Sequence, residues 1–338
     1  MVFFPVFQKY QRKGIHIMLK AQAPAKSVPE QKTIGVRAKN VLRILIRDKW
    51  LYAMFFPVIL YYVLFHYLPI GGIVIAFKDY NLFEGIWESP WVGFENFENF
   101  FSSIYFWRLL RNTLAISLMD LLIGFPAPII LALMLNEVVH NTFKRVIQTI
   151  SYLPHFVSMV VIAGLVFNFL SPSTGLINNL ISAVGGERIN FLADPKYFWI
   201  IFTLMNCWKG VGWASIIYLA ALSGVDMSLY EAAIVDGAGR WKQTYYVTLP
   251  AILPTIVVLF IMRVGNILTV SYEGIILLYN PAIYETADVL STYVYRRGLI
   301  DADYSFATAV GVFQSVLSLI LVILANKISK KVSESSLW

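Results

Sequence analysis

The sequence alternates long apolar runs with polar loops, and these runs restrict the fold more than any other feature. Each run exceeds about eighteen residues with almost no charge, which is enough for a helix to cross a ~30 Å hydrocarbon core. The runs occupy residues 51–76, 113–135, 152–170, 197–222, 255–279 and 305–325. They predict an all-α integral membrane protein with six transmembrane helices, and six crossings place both termini on the same side.

Composition and charge exclude several other classes of protein. Charged residues make up 14% of the 338 residues, about half the share in a soluble domain. The net charge of +7 does not indicate nucleic-acid binding, because eleven of the 27 Lys and Arg lie in the first 49 residues. Cys207 is the only cysteine, so cysteine-based metal sites are excluded. The four histidines are scattered without metal-ligand spacing, and we expect no metal.

Basic residues near the ends of the runs predict the orientation, because Lys and Arg hold loops in the cytoplasm. The N-terminal tail, the second and fourth loops and the C-terminal tail all carry such residues. We therefore expect both termini to be cytoplasmic, with a tail at 1–49, a transmembrane domain at 50–326 and a second tail at 327–338. The only apolar run before residue 36 is too short for a signal peptide, so we expect the N-terminus to be retained. Residues 36–50 form either an amphipathic helix on the membrane surface or a solvated lead-in to the first span.

The cytoplasmic loop at 223–254 contains the most informative motif. Ser228 followed by Glu231 predicts a capping box, so a helix should begin at Leu229. Gly237 suits the left-handed position that ends a helix. A helix of about two turns is marginal in water by itself. The motif therefore predicts a short helix that packs against another protein.

This loop resembles the EAA loop of permease subunits from binding-protein-dependent ABC importers. The resemblance rests on Glu231-Ala232-Ala233, Asp236-Gly237-Ala238 and Leu249-Pro250, placed between two spans. Four further segments are similar to the branch that takes up polysaccharides and complex oligosaccharides. They are Arg47-Asp48-Lys49-Trp50, Phe125-Pro126-Ala127-Pro128, Ser151-Tyr152-Leu153-Pro154-His155 and Ser336-Leu337-Trp338.

The resemblance implies a type I ABC importer permease fold and a set of partners. The EAA helix would be the coupling helix that docks on a cytoplasmic ATPase, through Glu231, Ala232, Ala233, Asp236 and Gly237. The expected partners are a related second permease, two ATPase subunits that bind ATP and Mg, and an extracytoplasmic solute-binding protein. The chain has no Gly-x-x-x-x-Gly-Lys-Ser/Thr segment for phosphate. We therefore expect a transport subunit without its own cofactor, in a bacterial inner membrane.

Charged residues within spans are costly and usually face a cavity or a partner. Lys209, Arg263 and Glu273 meet this description, and the glycines beside Lys209 and Arg263 indicate local unwinding. Aromatic and planar polar groups that could line a sugar path with them are Trp213, Asn266, Tyr272 and Tyr293. Alternatively, an Arg263–Glu273 ion pair only supports the bundle. An Arg263 that faces the path would favour an acidic sugar, a uronate such as alginate contains.

Two other function classes fit a polytopic membrane protein. One is an ion-coupled secondary transporter with Lys209 and Glu273 as coupling residues. Two observations oppose it: the two halves of the chain do not match each other as repeats, and the EAA loop is present. The other is a membrane enzyme that acts on lipid-linked sugars, for which clustered acids or histidines are missing.

Overall fold

The computed structural model describes residues 47–333, in which regular structure is helical apart from one antiparallel bridge between Lys78 and Trp91. Most of the predicted amphipathic segment at 36–50 and the last five residues lie outside this range. Contacts divide the chain into two compact units, one up to Ile70 and one from Gly71. The predicted all-helical architecture is confirmed.

Within residues 47–333, five helical stretches are long and apolar enough to cross a membrane, and a bent pair of helices makes a sixth. We number them in chain order as span 1 (Lys49–Phe77), span 2 (Phe106–Glu137), span 3 (Asn141–Phe156 with Met159–Leu170), span 4 (Pro195–Ser223), span 5 (Arg240–Gly265) and span 6 (Tyr304–Lys331). Span 2 begins at Phe106 rather than at the predicted residue 113, because Arg108, Arg111 and Asn112 interrupt the apolar run in its first two turns.

Span 3 is broken, so the prediction of one continuous helix over 152–170 is wrong. Its two halves meet at an angle of 104°. Pro154 lies in the short turn that ends the first half, where it removes a backbone donor. Ser158 then caps the second half, because its hydroxyl accepts a hydrogen bond from the backbone N–H of Val161 at 3.4 Å. The break leaves backbone carbonyls near residues 155–157 that need other donors.

Span 5 also differs from its prediction, since it ends at Gly265 and not at residue 279. Asn266 leaves the helical conformation, and its side-chain amide donates to the Met262 carbonyl at 3.1 Å. A separate helix, Tyr272–Leu278, follows after a turn. The apolar run continues across this turn, so hydropathy alone merged two elements into one. The N-terminal end of span 5 lies earlier than predicted and includes a π-helical turn at Thr244–Thr248.

Three apolar clusters hold the second unit together. One joins spans 2, 3 and 4 to the Tyr272–Leu278 helix. Another joins Phe100 and the start of span 2 to span 6. A third joins spans 2, 4 and 5 near the 223–254 loop. Spans 2 and 4 thus pack near both of their ends, and span 5 joins them in the third cluster.

Span 4 and the first half of span 3 approach each other closely at Gly212. A Cβ atom at Gly212 would overlap the Ser151 carbonyl group. The absence of a side chain therefore allows the two helices to touch through their backbones.

Candidate functional site

The helix of the 223–254 loop is Met227–Val235, and Asp226 caps it instead of the predicted Ser228–Glu231 box. The Asp226 carboxylate accepts a hydrogen bond from the Ser228 backbone N–H at 2.9 Å. This bond lowers the pKa of the Asp226 carboxyl. The helix begins at Met227, two residues before the predicted Leu229, because Asp226 rather than Ser228 is its N-terminal cap. Glu231 is exposed and makes no hydrogen bond or ion pair within the described chain.

The end of this helix agrees with its prediction. Gly237 has a φ of 73°, in the left-handed region that glycine adopts without strain. The Ala238 N–H donates to the Ala233 carbonyl at 2.8 Å, and the Gly237 N–H donates to the Ile234 carbonyl at 3.0 Å. These two bonds close the helix in the manner of a Schellman motif.

The loop helix presents an apolar surface to solvent. Its exposed apolar side chains are Met227, Leu229, Ile234 and Val235, with Val235 88% exposed. Among its residues only Tyr230 and Ala233 are partly covered. The Tyr230 hydroxyl and the Thr248 hydroxyl are 2.9 Å apart, which joins the loop helix to the π-helical turn of span 5. An exposed apolar surface of this kind is typical of a protein interface.

Two adjoining cavities lie between spans 2, 4 and 5. We call the cavity of about 350 Å³ the first chamber and the cavity of about 260 Å³ the second chamber. Both are lined by Asp120, Asn206, Gly210, Arg263 and Asn266. On spans 2 and 5 the residues that line only the second chamber, such as Gly124 and Met262, lie towards the 223–254 loop. On span 4 the same holds for Val211, Ala214, Ile217 and Tyr218, whereas Cys207 lies level with the shared residues Asn206 and Gly210. The two chambers therefore follow one another along the spans.

Asp120 and Arg263 form an ion pair where the chambers meet. Arg263 Nη2 is 2.5 Å from Asp120 Oδ1, and Arg263 Nε is 2.6 Å from Asp120 Oδ2. Such bidentate contacts are the strongest geometry for an arginine and a carboxylate. The Asp120 and Arg263 side chains are 23% and 49% exposed, so both remain accessible from the chambers. The alternative partner expected from the sequence, Glu273, is exposed and has no ion pair among the described residues.

Irregular backbone surrounds the chambers on three sides. Span 2 contains a π-helical turn at Asp120–Gly124, in which the Phe125 N–H donates to the Asp120 carbonyl at 2.8 Å. Span 5 ends at Gly265, and the break of span 3 places His155 and Met159 against the first chamber. Non-helical backbone at membrane depth occurs where it lines a cavity or is buried in protein.

Lys209 lines the first chamber but is also bound to the break in span 3. Its ammonium donates to the carbonyls of His155 at 3.2 Å and Val157 at 2.5 Å. Those carbonyls lack helical donors because the helix stops there. Span 4 itself is continuous, so the unwinding expected beside Lys209 does not occur. The unwinding expected after Arg263 does occur.

The structure places three of the seven sequence-predicted path residues, Lys209, Arg263 and Asn266, around the first chamber. Trp213 instead stacks on His155 with ring centroids 4.6 Å apart, and Tyr293 is buried in an apolar cluster. Tyr272 stacks on Tyr295 beside another cavity. Glu273 lines neither chamber.

Several polar residues of the chambers were not identified from the sequence, among them Asp120, Thr203 and Asn206. Asp120 lies in the middle of a predicted span, so its charge was a usable signal. Thr203 is 2% exposed, lines the first chamber, and its Oγ1 has no hydrogen-bond partner within residues 47–333. A buried hydroxyl without a partner can bond to water or to a ligand hydroxyl. No group of three metal-ligating side chains occurs in the described part of the chain.

The fold and the loop define a class, the membrane component of a binding-protein-dependent transport system. The family model for the inner membrane component of such systems matches residues 124–334. The chain belongs to this family, and it is a multi-pass permease subunit of an ABC importer rather than an enzyme.

Several individual proteins are similar over most of the chain. Protein LplB of Bacillus subtilis strain 168 is 48% identical over 292 residues, covering 86% of this chain and 92% of LplB. The polygalacturonan/rhamnogalacturonan transport system permease protein YteP of the same strain is 46% identical over 318 residues, covering 94% and 98%.

A solved structure confirms the ABC importer permease fold predicted from the sequence. A chain of a bacterial alginate ABC transporter, in complex with an alginate pentasaccharide-bound periplasmic protein, superposes with a TM-score of 0.80. It is 47% identical, and the match covers 87% of this chain and 99% of that chain.

Proposed function

We propose that this subunit forms half of the translocation path for an acidic oligosaccharide or polysaccharide delivered by a solute-binding protein. The observation that carries the proposal is Arg263, a half-exposed guanidinium that lines both chambers between spans 2, 4 and 5. A uronate carboxylate matches that guanidinium in charge and geometry. Thr203, Asn206 and Asn266 add hydrogen-bonding groups for sugar hydroxyls. The relatives named for polygalacturonan and alginate support the same substrate class.

The chain would work with partners that supply the energy and the ligand. A second, related permease subunit would complete the path, and two ATPase subunits would bind ATP and Mg. The ATPase would dock on the loop helix through Glu231, Ala232, Ala233, Asp236 and Gly237, with the exposed apolar side chains around them. The 223–254 loop and both termini would then be cytoplasmic, and Tyr230 would transmit the movement to span 5.

An Arg263→Gln variant of the reconstituted transporter tests the substrate class. The probes are tetragalacturonate and its methyl ester, which differ in charge. We expect Arg263→Gln to reduce ATP-driven uptake of the acid about tenfold or more, since one charged hydrogen bond contributes about 1.5–3 kcal/mol. Uptake of the ester should change much less. Arg263→Lys, which keeps the charge but loses the bidentate geometry, should give an intermediate loss for the acid.

Unchanged uptake of tetragalacturonate by Arg263→Gln would count directly against an acidic substrate. Equal losses for acid and ester would also oppose it, because they indicate a structural defect.

A further inference from the structure

The Asp120–Arg263 pair occupies the junction of the two chambers and joins two spans. Asp120 belongs to span 2 and Arg263 to span 5, 143 residues apart in the chain. On span 2 the first chamber is lined by Ile116 and Ser117 and the second by Gly124 and Pro128, so Asp120 lies between them. Arg263 lies two residues before the end of span 5, between Met262 of the second chamber and Ile267 of the first. The pair therefore lies where one chamber leads into the other.

The backbone around Asp120 is adapted to hold its carboxylate in this position. A Cβ atom at Gly124 would overlap Oδ1 of Asp120 and lie within 3.8 Å of Arg263 Nη2. The π-helical turn brings Gly124 beneath the carboxylate, and glycine leaves the space that the carboxylate fills. The ion pair therefore depends on the glycine at position 124 and on the π-helical turn that brings it beneath the carboxylate.

We propose that the Asp120–Arg263 pair is a charge gate between the chambers and that Asp120 determines selectivity by competing with the substrate for Arg263. This inference rests on the proposed acidic substrate. A uronate carboxylate can replace Asp120 on Arg263, so the guanidinium keeps a partner throughout the exchange. A neutral sugar cannot do so, and opening the gate for it leaves Arg263 and Asp120 both unpaired within the bundle of spans, which is costly.

The single cysteine of the chain offers a direct measurement of the gate. Cys207 lines the second chamber and is absent from the lining of the first. The full transporter is reconstituted and exposed to a small membrane-impermeant thiol reagent on the side opposite the 223–254 loop. Mass spectrometry of the Cys207 peptide then gives the labelling rate, and Cys207→Ser identifies the peptide.

We expect slow labelling of the wild-type protein and labelling at least about tenfold faster in Asp120→Asn. Gly124→Ala should also accelerate labelling, because the added methyl group displaces the Asp120 carboxylate. Asp194→Asn is the matched control, since Asp194 pairs with Lys196 in an exposed loop outside the chambers, and its rate should equal the wild type. Wild-type rates in both Asp120→Asn and Gly124→Ala would overturn the gate.

Measurements of ligand binding test the proposed gate and the proposed acidic substrate independently. Dissociation constants of tetragalacturonate and its methyl ester are measured on the transporter in nanodiscs without the binding protein. Asp120→Asn should lower the dissociation constant of the acid about tenfold and leave that of the ester unchanged. A merely structural role would shift both constants alike and would refute competition at Arg263. Faster labelling with an unchanged constant for the acid would retain the gate and reject the acidic substrate.

Discussion

The left-handed backbone at Gly237 fixes where the loop helix ends and where its exposed apolar residues point. The φ of 73° is unfavourable for other residues by about 1–2 kcal/mol. No atom lies within 4 Å of the position where a Cβ would stand, so a side chain there would strain the backbone without a clash. Substitution should therefore alter the local turn and leave the rest of the bundle intact.

Gly237→Val should uncouple ATP hydrolysis from transport while membrane insertion stays normal. The strained turn moves the loop helix relative to the ATPase, so ATPase activity persists and uptake per ATP falls several-fold. Gly239→Thr is the matched control, because threonine has the shape of valine, Gly239 has an ordinary φ of −68°, and threonine is a good N-cap. Loss of the protein from the membrane in Gly237→Val would refute this assignment.

The Asp226 cap stabilises the loop helix only at pH values where its carboxyl group is ionised. The Ser228 N–H lowers the pKa of Asp226 below its ordinary value near 4. A carboxyl whose pKa is depressed in the folded state stabilises that state above the unfolded pKa, and the contribution is lost as the pH falls through the folded pKa. The cap is therefore intact at neutral pH.

At the residue scale, features that depend on neighbouring residues in the chain could be predicted from the sequence, whereas ion pairs between distant residues could not. Gly237 was predicted because helix ends have a local signature. The sequence offers Glu273, ten residues away, as one possible partner of Arg263, and nothing in one sequence indicates that Asp120 is its neighbour. The Ser228–Glu231 spacing predicts a cap at Ser228. In the structure the Asp226 carboxylate is the cap, and it accepts from the backbone N–H of Ser228 itself.

At the scale of elements, the functional region lies where helices are interrupted. The break of span 3, the end of span 5 and the π-helical turn of span 2 all face the chambers. Lys209 stabilises the first of these by bonding its free carbonyls. The hydropathy of the sequence located the six spans but hid the interruptions, because the apolar residues continue through them. Pro154 and Ser158 were the local signals of the break.

Close packing of span 4 on the first half of span 3 gives an element-scale prediction at Gly212. Gly212→Ala should lower the free energy of unfolding by about 1–3 kcal/mol, because the methyl group overlaps the Ser151 carbonyl. Gly210→Ala is the control two residues away. No atom lies near its Cβ position, and alanine is favoured over glycine in a helix by about 1 kcal/mol.

Thermal unfolding of the purified transporter measures both glycine variants. Gly212→Ala should melt at a lower temperature than the wild type, and Gly210→Ala should not. Equal melting temperatures for the two variants would mean that the helices do not touch at Gly212.

At the scale of the whole molecule, ion pairs hold three of the arginines at the ends of the spans remote from the 223–254 loop, Arg108, Arg296 and Arg297. The buried Asp288 carboxylate accepts hydrogen bonds from Arg296 at 2.9 Å and Arg108 at 3.2 Å. Arg297 pairs with Asp303 at 2.6 Å. These arginines are held in the folded protein, which agrees with the proposed orientation, in which the basic loops on the other side are cytoplasmic.

The central claim is that the loop helix docks on an ATP-hydrolysing subunit, and crosslinking in the assembled transporter tests it most directly. Single cysteines are placed at Val235 in the loop helix and at Val184 in the loop before span 4, in a Cys207→Ser background. The two valines are 88% and 85% exposed but lie at opposite ends of span 4. A maleimide–benzophenone reagent, which bonds to the introduced thiol and on illumination inserts into a C–H bond of a neighbouring chain, should join Val235→Cys to the ATPase and leave Val184→Cys unjoined. A crosslink to the ATPase from Val184→Cys, with none from Val235→Cys, would contradict the account.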